Sequence, residues 1–391
     1  MKQNPDSWRG PIKGRILKRL DSSTSACTQK IDVESGIIIY GAGDLGVLAL
    51  NYCEACQIPI LAVLDQVKSG CIKSQSGRLY KVSSPTLRRE LADFTVVIAV
   101  ATRPFSPIKR SLIKQGWKTV VPFYDITHSP RDGHPLHNGW KIGNVSAAEI
   151  CQVNQICDKL ADEQSLLHYE AFIAWHSNSQ ELVLQRFPID PACRYLIPEM
   201  KSFLYLRRKC LVDVGSHSGQ AAIALKDAGF RFEHYFFFEP DKSNFTDLED
   251  TQAKLVDAGS TAKTHSQPLG AVSETVSFGQ GLGYCSQIWD KAKSYRKTAT
   301  LDSYSIRPDL VKIHTEGTEL SVLHGATNII NESTPALAYS VYHRRTGFYE
   351  DIIKPMELFE GYNWFFRLHN YQGTGAFIYA VPVHSGKSNL E

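Results

Sequence analysis

Residues 209–241 read KCLVDVGSHSGQAAIALKDAGFRFEHYFFFEPD, and this stretch decides the fold. An apolar run ends at Val214, a turn carries Gly215 and Gly219, a helical pattern follows, and a second apolar run closes on Glu239. Glycine at 215 permits a sharp turn, and its missing side chain lets a ligand come close. Asp213, just before the turn, suits the cationic amino group of a ligand and would serve a pyrophosphate badly. Ser216 and His217 occupy the turn itself. Glu239 stands where an acidic residue accepts hydrogen bonds from both hydroxyls of a ribose, with Pro240 next to it. The spacing fits a nucleoside ligand with an amino-acid part; the plain alternative is a βαβ unit with an acidic surface turn.

Working outward, strand-like runs follow at ETVSF (274–278), DLVKIH (309–314) and ALAYSVYH (336–343), separated by helix-like stretches. The chain then reads WFFRLHNY–QGTG–AFIYAVP (364–382), two strands around a glycine-rich turn and hence a hairpin. A parallel series closed by a hairpin is the layout of a class I methyltransferase sheet with an antiparallel final strand. In open α/β sheets ligands lie at the carboxyl ends of the strands, which here carry His314 and Glu316, then His343. Methyl transfer from a sulfonium is an in-line displacement that needs the acceptor held close and its proton removed. His314, Glu316 and His343 are the candidate catalytic residues, and the pattern does not distinguish which takes the proton. No metal-ligand set is read from the sequence.

A second strand–turn–helix unit lies far upstream, in GIIIYGAGDLGVLALNYCEACQIPILAVLD (36–65). Gly41, Gly43 and Gly46 match the dinucleotide fingerprint, and Asp65 follows about 20 residues later. FTVVIAVA (94–101) and KTVVPFY (118–124) continue a parallel sheet. The expected fold class is therefore α/β with two Rossmann-like domains. The expected organisation is a basic flexible segment over 1–33, a Rossmann-like domain over 34–130, a linker and helical segment over 131–205, and the methyltransferase sheet over 206–391. SPRDGHPLHNG (129–139) reads as linker, and 146–176 reads as one long helix. The first glycine loop suits a nucleotide or nucleotide-sugar, a nicotinamide cofactor, or an emptied docking scaffold.

The bulk figures exclude several classes. The net charge is +3, and the first thirty residues alone hold seven Lys or Arg against Asp6 and Asp21, so the body is nearly neutral and does not advertise nucleic-acid binding. No apolar run is long enough for a signal peptide or a membrane span. Nine cysteines without an export signal suggest free thiols in a reducing cytoplasm. Cys53 and Cys56 form a C-x-x-C inside a helical pattern, read as a packed helix face because no second pair completes a zinc site.

With these residues in view, the chain from about 209 to 382 resembles the FkbM-type methyltransferases. The resemblance rests on LVDVGSHSG, FFFEPDKSNF, TLDSY, LVKIHTEGTELSVLHGA and PALAYSVYH in that order. It implies a class I fold, S-adenosylmethionine as donor, and O-methylation of a hydroxyl, often of a sugar in a glycan. Asp213, Gly215 and Gly219 match the donor loop and Glu239 the ribose-binding acid. Asp302, Lys312, Glu316, Gly317 and Glu319 fall on the later motif, and His343 on its strand-end histidine. One position departs: the family usually has Asp where this chain has His314. Any role of that Asp in orienting substrate or holding a cation is altered here, and an imidazole suits a neutral base near physiological pH. The rival readings are a NAD-dependent oxidoreductase using the GAGDLG loop and a non-catalytic scaffold in glycan assembly.

Overall fold

The computed structural model describes residues 7–21, 31–128 and 131–383. In the N-terminal half, six strands form one sheet: β1 (Ile37–Tyr40), β2 (Ile60–Leu64), β3 (Gly70–Lys73), β4 (Leu79–Ser83), β5 (Thr95–Ile98) and β6 (Thr119–Pro122). Their order is β3-β4-β2-β1-β5-β6, with every pairing parallel except β3 with β4. The β-branched runs IIIY and TVVI are buried throughout, as a sheet covered on both faces requires. Alternation sorts β1 between two cores. Ile37 and Ile39 pack with Ala49, Leu50 and Cys53 of the Asp44–Ala55 helix, while Ile38 and Tyr40 pack with Phe105 and Leu112 of the Phe105–Gln115 helix. The hairpin β3–β4 was not legible in the sequence, because GCIK and LYKVS are short and largely exposed.

The C-terminal half is built on β7 (Cys210–Val214), β8 (His234–Phe238) and β9 (Thr261–His265). Next come β10 (Thr275–Gly279), β11 (Gln287–Ile288) and β12 (Ser294–Lys297), then β13 (Leu310–Ile313), β14 (Ala336–Ser340), β15 (Tyr362–Leu368) and β16 (Ala376–Pro382). The main sheet runs β15-β16-β14-β13-β7-β8-β9, with β16 antiparallel to both neighbours and the rest parallel. This is class I methyltransferase-like topology, with the final strand inserted beside β14. ETVSF belongs elsewhere: β10 forms a separate antiparallel sheet with β11 and β12 over the edge of the cleft.

Three local expectations are corrected. Part of the basic head is a helix, Arg9–Asp21, that buries Ile12, Ile16 and Leu20 in the C-terminal core. Its basic face is tied down by Arg15 and Arg19 on Glu170 and by Lys13 on Asp158, so this segment is packed structure, not a solvated tail. Residues 1–6 and 22–30 of that head lie outside the described residues. The single helix expected over 146–176 is two, Ala147–Lys159 and Glu163–Asn178. The break falls where Leu160 bridges Trp364 of β15 and Asp162 caps the second helix through Ser165. Residues 131–139 of the linker are also ordered: His134 is buried edge-on against Tyr52, and Leu136 joins the first core. Residues 129 and 130 are outside the described residues.

The two halves are pinned together. Tyr371 N–H donates to Ala101 O (2.7 Å) and Gln372 Nε2 to Val100 O (2.7 Å). The ends of β1, β2 and β5 thereby face the ends of β13 and β14 across a cavity. Among the described residues no helix is long and apolar enough to cross a membrane.

Candidate active site

The order of the main sheet reverses between β7 and β13, and the crevice at such a point is where open α/β sheets hold ligands. Beyond the ends of β7, β8 and β13 lies a cleft with about 900 Å³ of space continuous with solvent, lined among others by Gly215, His217, Glu239, Pro240, Lys312 and Tyr284.

The glycine loop owes its shape first to protein neighbours. Gly215 has φ +70°, and a Cβ there would lie 1.9 Å from His314 O, because His314 N–H bonds Val214 O at 3.0 Å. A Cβ at Gly219 (φ +73°) would meet Thr251 Cγ2 at 2.6 Å. The Ser216 hydroxyl stitches the turn, donating to Asp213 O (2.6 Å) and accepting from Phe238 N–H (3.1 Å). His217, in the left-handed region at φ +50°, stacks on Tyr284 with ring centroids 4.2 Å apart.

The two carboxylates named from the sequence part company. Glu239 reaches the cleft. Its oxygens accept from His217 N–H (2.7 Å) and Asp241 N–H (2.8 Å), which anchor the group and leave lone pairs for a ligand. Burial raises its pKa, while those bonds lower it in part. Asp213 does not line the cleft. It is buried and paired with Lys312 Nζ at 2.8 Å, its register partner on β13. Lys312 also donates to Gly215 O at 2.7 Å, so the pair braces the turn from below. Burial opposes the Lys312 charge, but Asp213 and Tyr195 outweigh it and the pKa is raised.

His314, Glu316 and His343 converge as expected, their ligand atoms all within 4.8 Å of one another. No metal-ligand set was expected from the sequence; among the described residues the fold assembles one candidate. Glu316 lies in the left-handed region at φ +56°, a conformation of a non-glycine residue that costs about 1–3 kcal/mol and marks a constrained site. Glu319 holds this backbone by accepting from Thr315 N–H (3.1 Å) and Gly317 N–H (2.9 Å). Glu319 also accepts from Ser340 Oγ (2.7 Å) and from His343 Nδ1 (2.8 Å). Burial works against the Glu319 charge, yet His343 and Ser340 lower its pKa to about 2. Burial also opposes charge on His343, but with Glu316 and Glu319 on either side its pKa rises to about 10. Burial lowers His314 to about 4, so that imidazole is neutral.

A second cavity opens between the two halves of the chain, with about 2190 Å³ of space continuous with solvent. It is lined on one side by Gly41, Gly43, Asp65, Lys68 and Arg103, and on the other by His314, Glu316 and Tyr342. The first glycine loop therefore faces the strand-end cluster. Gly41 and Gly46 are sterically required, since a Cβ would lie 2.5 Å from Ala99 O and 2.0 Å from Gly41 O respectively. Gly43 meets nothing within 4 Å and opens to the cavity. Asp65 is engaged by backbone, accepting from Ala42 (2.8 Å), Val67 (2.7 Å) and Lys68 (2.8 Å), so it is not a free ribose acceptor. Arg194 and Tyr195 line both spaces, and the sequence carried no signal for either. Among the described residues Arg194 has no carboxylate ion pair.

Among solved structures the chain is similar to a methyltransferase FkbM from Methylobacillus flagellatus KT. The TM-score is 0.61 at 18% identity over 97% of this chain and 100% of that one. The likeness is one of fold, a class I methyltransferase-like topology, and it extends over the companion half. An rRNA methylase from Streptococcus thermophilus aligns over 46% of this chain and 93% of its own at 11% identity, with a TM-score of 0.30. A precorrin-6y C5,15-methyltransferase from Geobacter metallireducens GS-15 aligns over 46% of this chain and 84% of its own at 14% identity, with a TM-score of 0.28. Neither of these looser likenesses carries an argument. No family model matches the sequence, and no curated protein matches it.

Proposed function

We propose that the protein is an S-adenosylmethionine-dependent O-methyltransferase acting on a hydroxyl of a saccharide or glycan precursor. One observation carries this reading: the donor cleft and the interdomain cavity share His314, Glu316, Arg194 and Tyr195, so two ligands would meet at the strand-end cluster. Glu239 suits the ribose of the donor, as an acidic residue at the end of the second strand does. S-adenosylmethionine supplies an electrophilic methyl group on a sulfonium. Neutral His314 and ionised Glu316 offer lone pairs where an acceptor hydroxyl loses its proton as its oxygen attacks. His343, held as a cation between Glu316 and Glu319, is a poor base and steadies the Glu316 charge. Arg194 suits an anionic group of either ligand. The cavity wall formed by Gly43 and Lys68 is where a nucleotide or nucleotide-sugar part of the acceptor would rest. Nothing observed favours a nicotinamide reading, because Asp65 and Ala42 N–H bond each other.

Titration with S-adenosylhomocysteine by calorimetry tests the reading. The wild-type chain is expected to bind, and Glu239→Gln to bind roughly tenfold more weakly or worse, a loss of about 1.4 kcal/mol. No heat from the wild-type chain at millimolar ligand would sink it.

A further inference from the structure

We propose that His314, Glu316 and His343 bind a divalent transition-metal ion of borderline softness where the two cavities meet. The tautomer of His343 is the starting point. Its Nδ1 faces Glu319, a carboxylate that already accepts from two backbone N–H groups and a hydroxyl, so Nδ1 carries a proton. In a neutral ring that leaves a lone pair on Nε2. Yet Nε2 is buried, lies 3.2 Å from Glu316 Oε1, and makes no hydrogen bond. His314 Nε2 lies 3.3 Å from the same oxygen. Three ligand atoms thus converge on one point, which either a proton on His343 Nε2 or a metal ion in its place can hold together.

The two carboxylate–imidazole separations suit an ion, and the two imidazoles lie within 4.8 Å of each other. Ligand atoms about 2.0–2.2 Å from a metal stand roughly 3–3.5 Å apart when adjacent. Glu319 behind His343 repeats the carboxylate–histidine pairing that orients metal-binding imidazoles. Tyr195 Oη, 3.3 Å from His314 Nδ1, can fix the second ring in the same way. Tyr342 Oη, 3.2 Å from His314 Nε2, is the group an ion would displace. Charge agrees as well. Among the described residues neither Glu316 nor Glu319 has an ion pair with Lys or Arg, and their ion-pair partners are the imidazoles. A divalent ion in place of the His343 proton balances both. Two nitrogens and one oxygen favour Zn²⁺, Co²⁺ or Ni²⁺ over Mn²⁺, Mg²⁺ or Ca²⁺. The ion's role toward an acceptor rests on the transferase reading and implies a hydroxyl with a neighbouring oxygen, as in a vicinal diol; its binding does not.

The experiment is titration of chelator-treated full-length protein with Co²⁺, followed by visible absorption, and with Zn²⁺, followed by calorimetry. One ion per chain is expected. Glu319→Gln should weaken binding about 10- to 100-fold, and Glu316→Gln further. His314→Asp should keep an ion but shift preference toward Mn²⁺ and Mg²⁺. Wild-type protein that binds neither Co²⁺ nor Zn²⁺ overturns the proposal, with His343 then an imidazolium clamp. So does binding left intact in Glu316→Gln and His314→Ala, which would put the ion elsewhere. The wild-type titration decides even if a variant fails to fold. S-adenosylhomocysteine bound without metal sinks only this inference, whereas metal bound without S-adenosylhomocysteine supports it and sinks only the transferase reading.

Discussion

Lys312 shows how one side chain couples stability to the glycine loop at Gly215. Its ammonium neutralises Asp213 and holds Gly215 O, and both charged groups are withdrawn from water. Removing one partner of a buried pair leaves the other charge stranded. Lys312→Met is therefore expected to lower unfolding free energy by about 3–5 kcal/mol in urea denaturation. Lys312→Met/Asp213→Leu should recover much of that loss. A near-neutral single variant would mean that water reaches Asp213 and that the pair does not brace the turn.

At the scale of elements, the Glu163–Asn178 helix is locked to β15 by a histidine that must stay neutral. His168 Nε2 donates to Phe187 O (2.9 Å), and its Nδ1 accepts from Leu368 N–H (2.9 Å). Protonation would set one N–H against another. Burial lowers the pKa from 6.5 to about 4. The unfolded chain then binds more protons than the folded one below pH 6.5, so stability falls on acidification from there to about pH 4. At pH 5 this group contributes a loss of about 2 kcal/mol. His168→Gln keeps a donor and an acceptor but does not titrate. Its Tm should drop less between pH 7 and pH 5 than that of the wild type; equal drops would exclude His168 as a source.

The whole molecule places two glycine loops on opposite sides of one cavity. Gly43 has an extended backbone, φ −88°, and a Cβ there would have no neighbour within 4 Å. A larger residue fits at this position without strain and projects into the space where the acceptor would lie. Gly43→Phe is expected to leave the melting temperature and S-adenosylhomocysteine affinity unchanged. Its methyl-transfer rate on a saccharide acceptor should fall roughly tenfold or more, about 1.4 kcal/mol. An undiminished rate would show that the acceptor does not use the interdomain cavity. The same variant separates a working companion half from an inert scaffold.

Much of the architecture follows from local pattern. The runs LVDV, YFFF and LVKI, each ending at a turn, together with the closing hairpin, were enough for a class I sheet. They also put His314, Glu316 and His343 on one rim, because strand ends in a parallel sheet share an edge. Weaker local signals failed. The short exposed hairpin β3–β4 left no pattern, ETVSF gave no sign of its separate sheet, and the basic head concealed the apolar stripe of Ile12, Ile16 and Leu20. Sequence order also says nothing about partners distant along the chain. Only tertiary packing gave Asp213 to Lys312, turned Glu319 onto His343, and brought Arg194 and Tyr195 to the junction of the cavities. Periodicity encodes which face is buried, whereas the contact between two charged side chains depends on where the folded backbone delivers them.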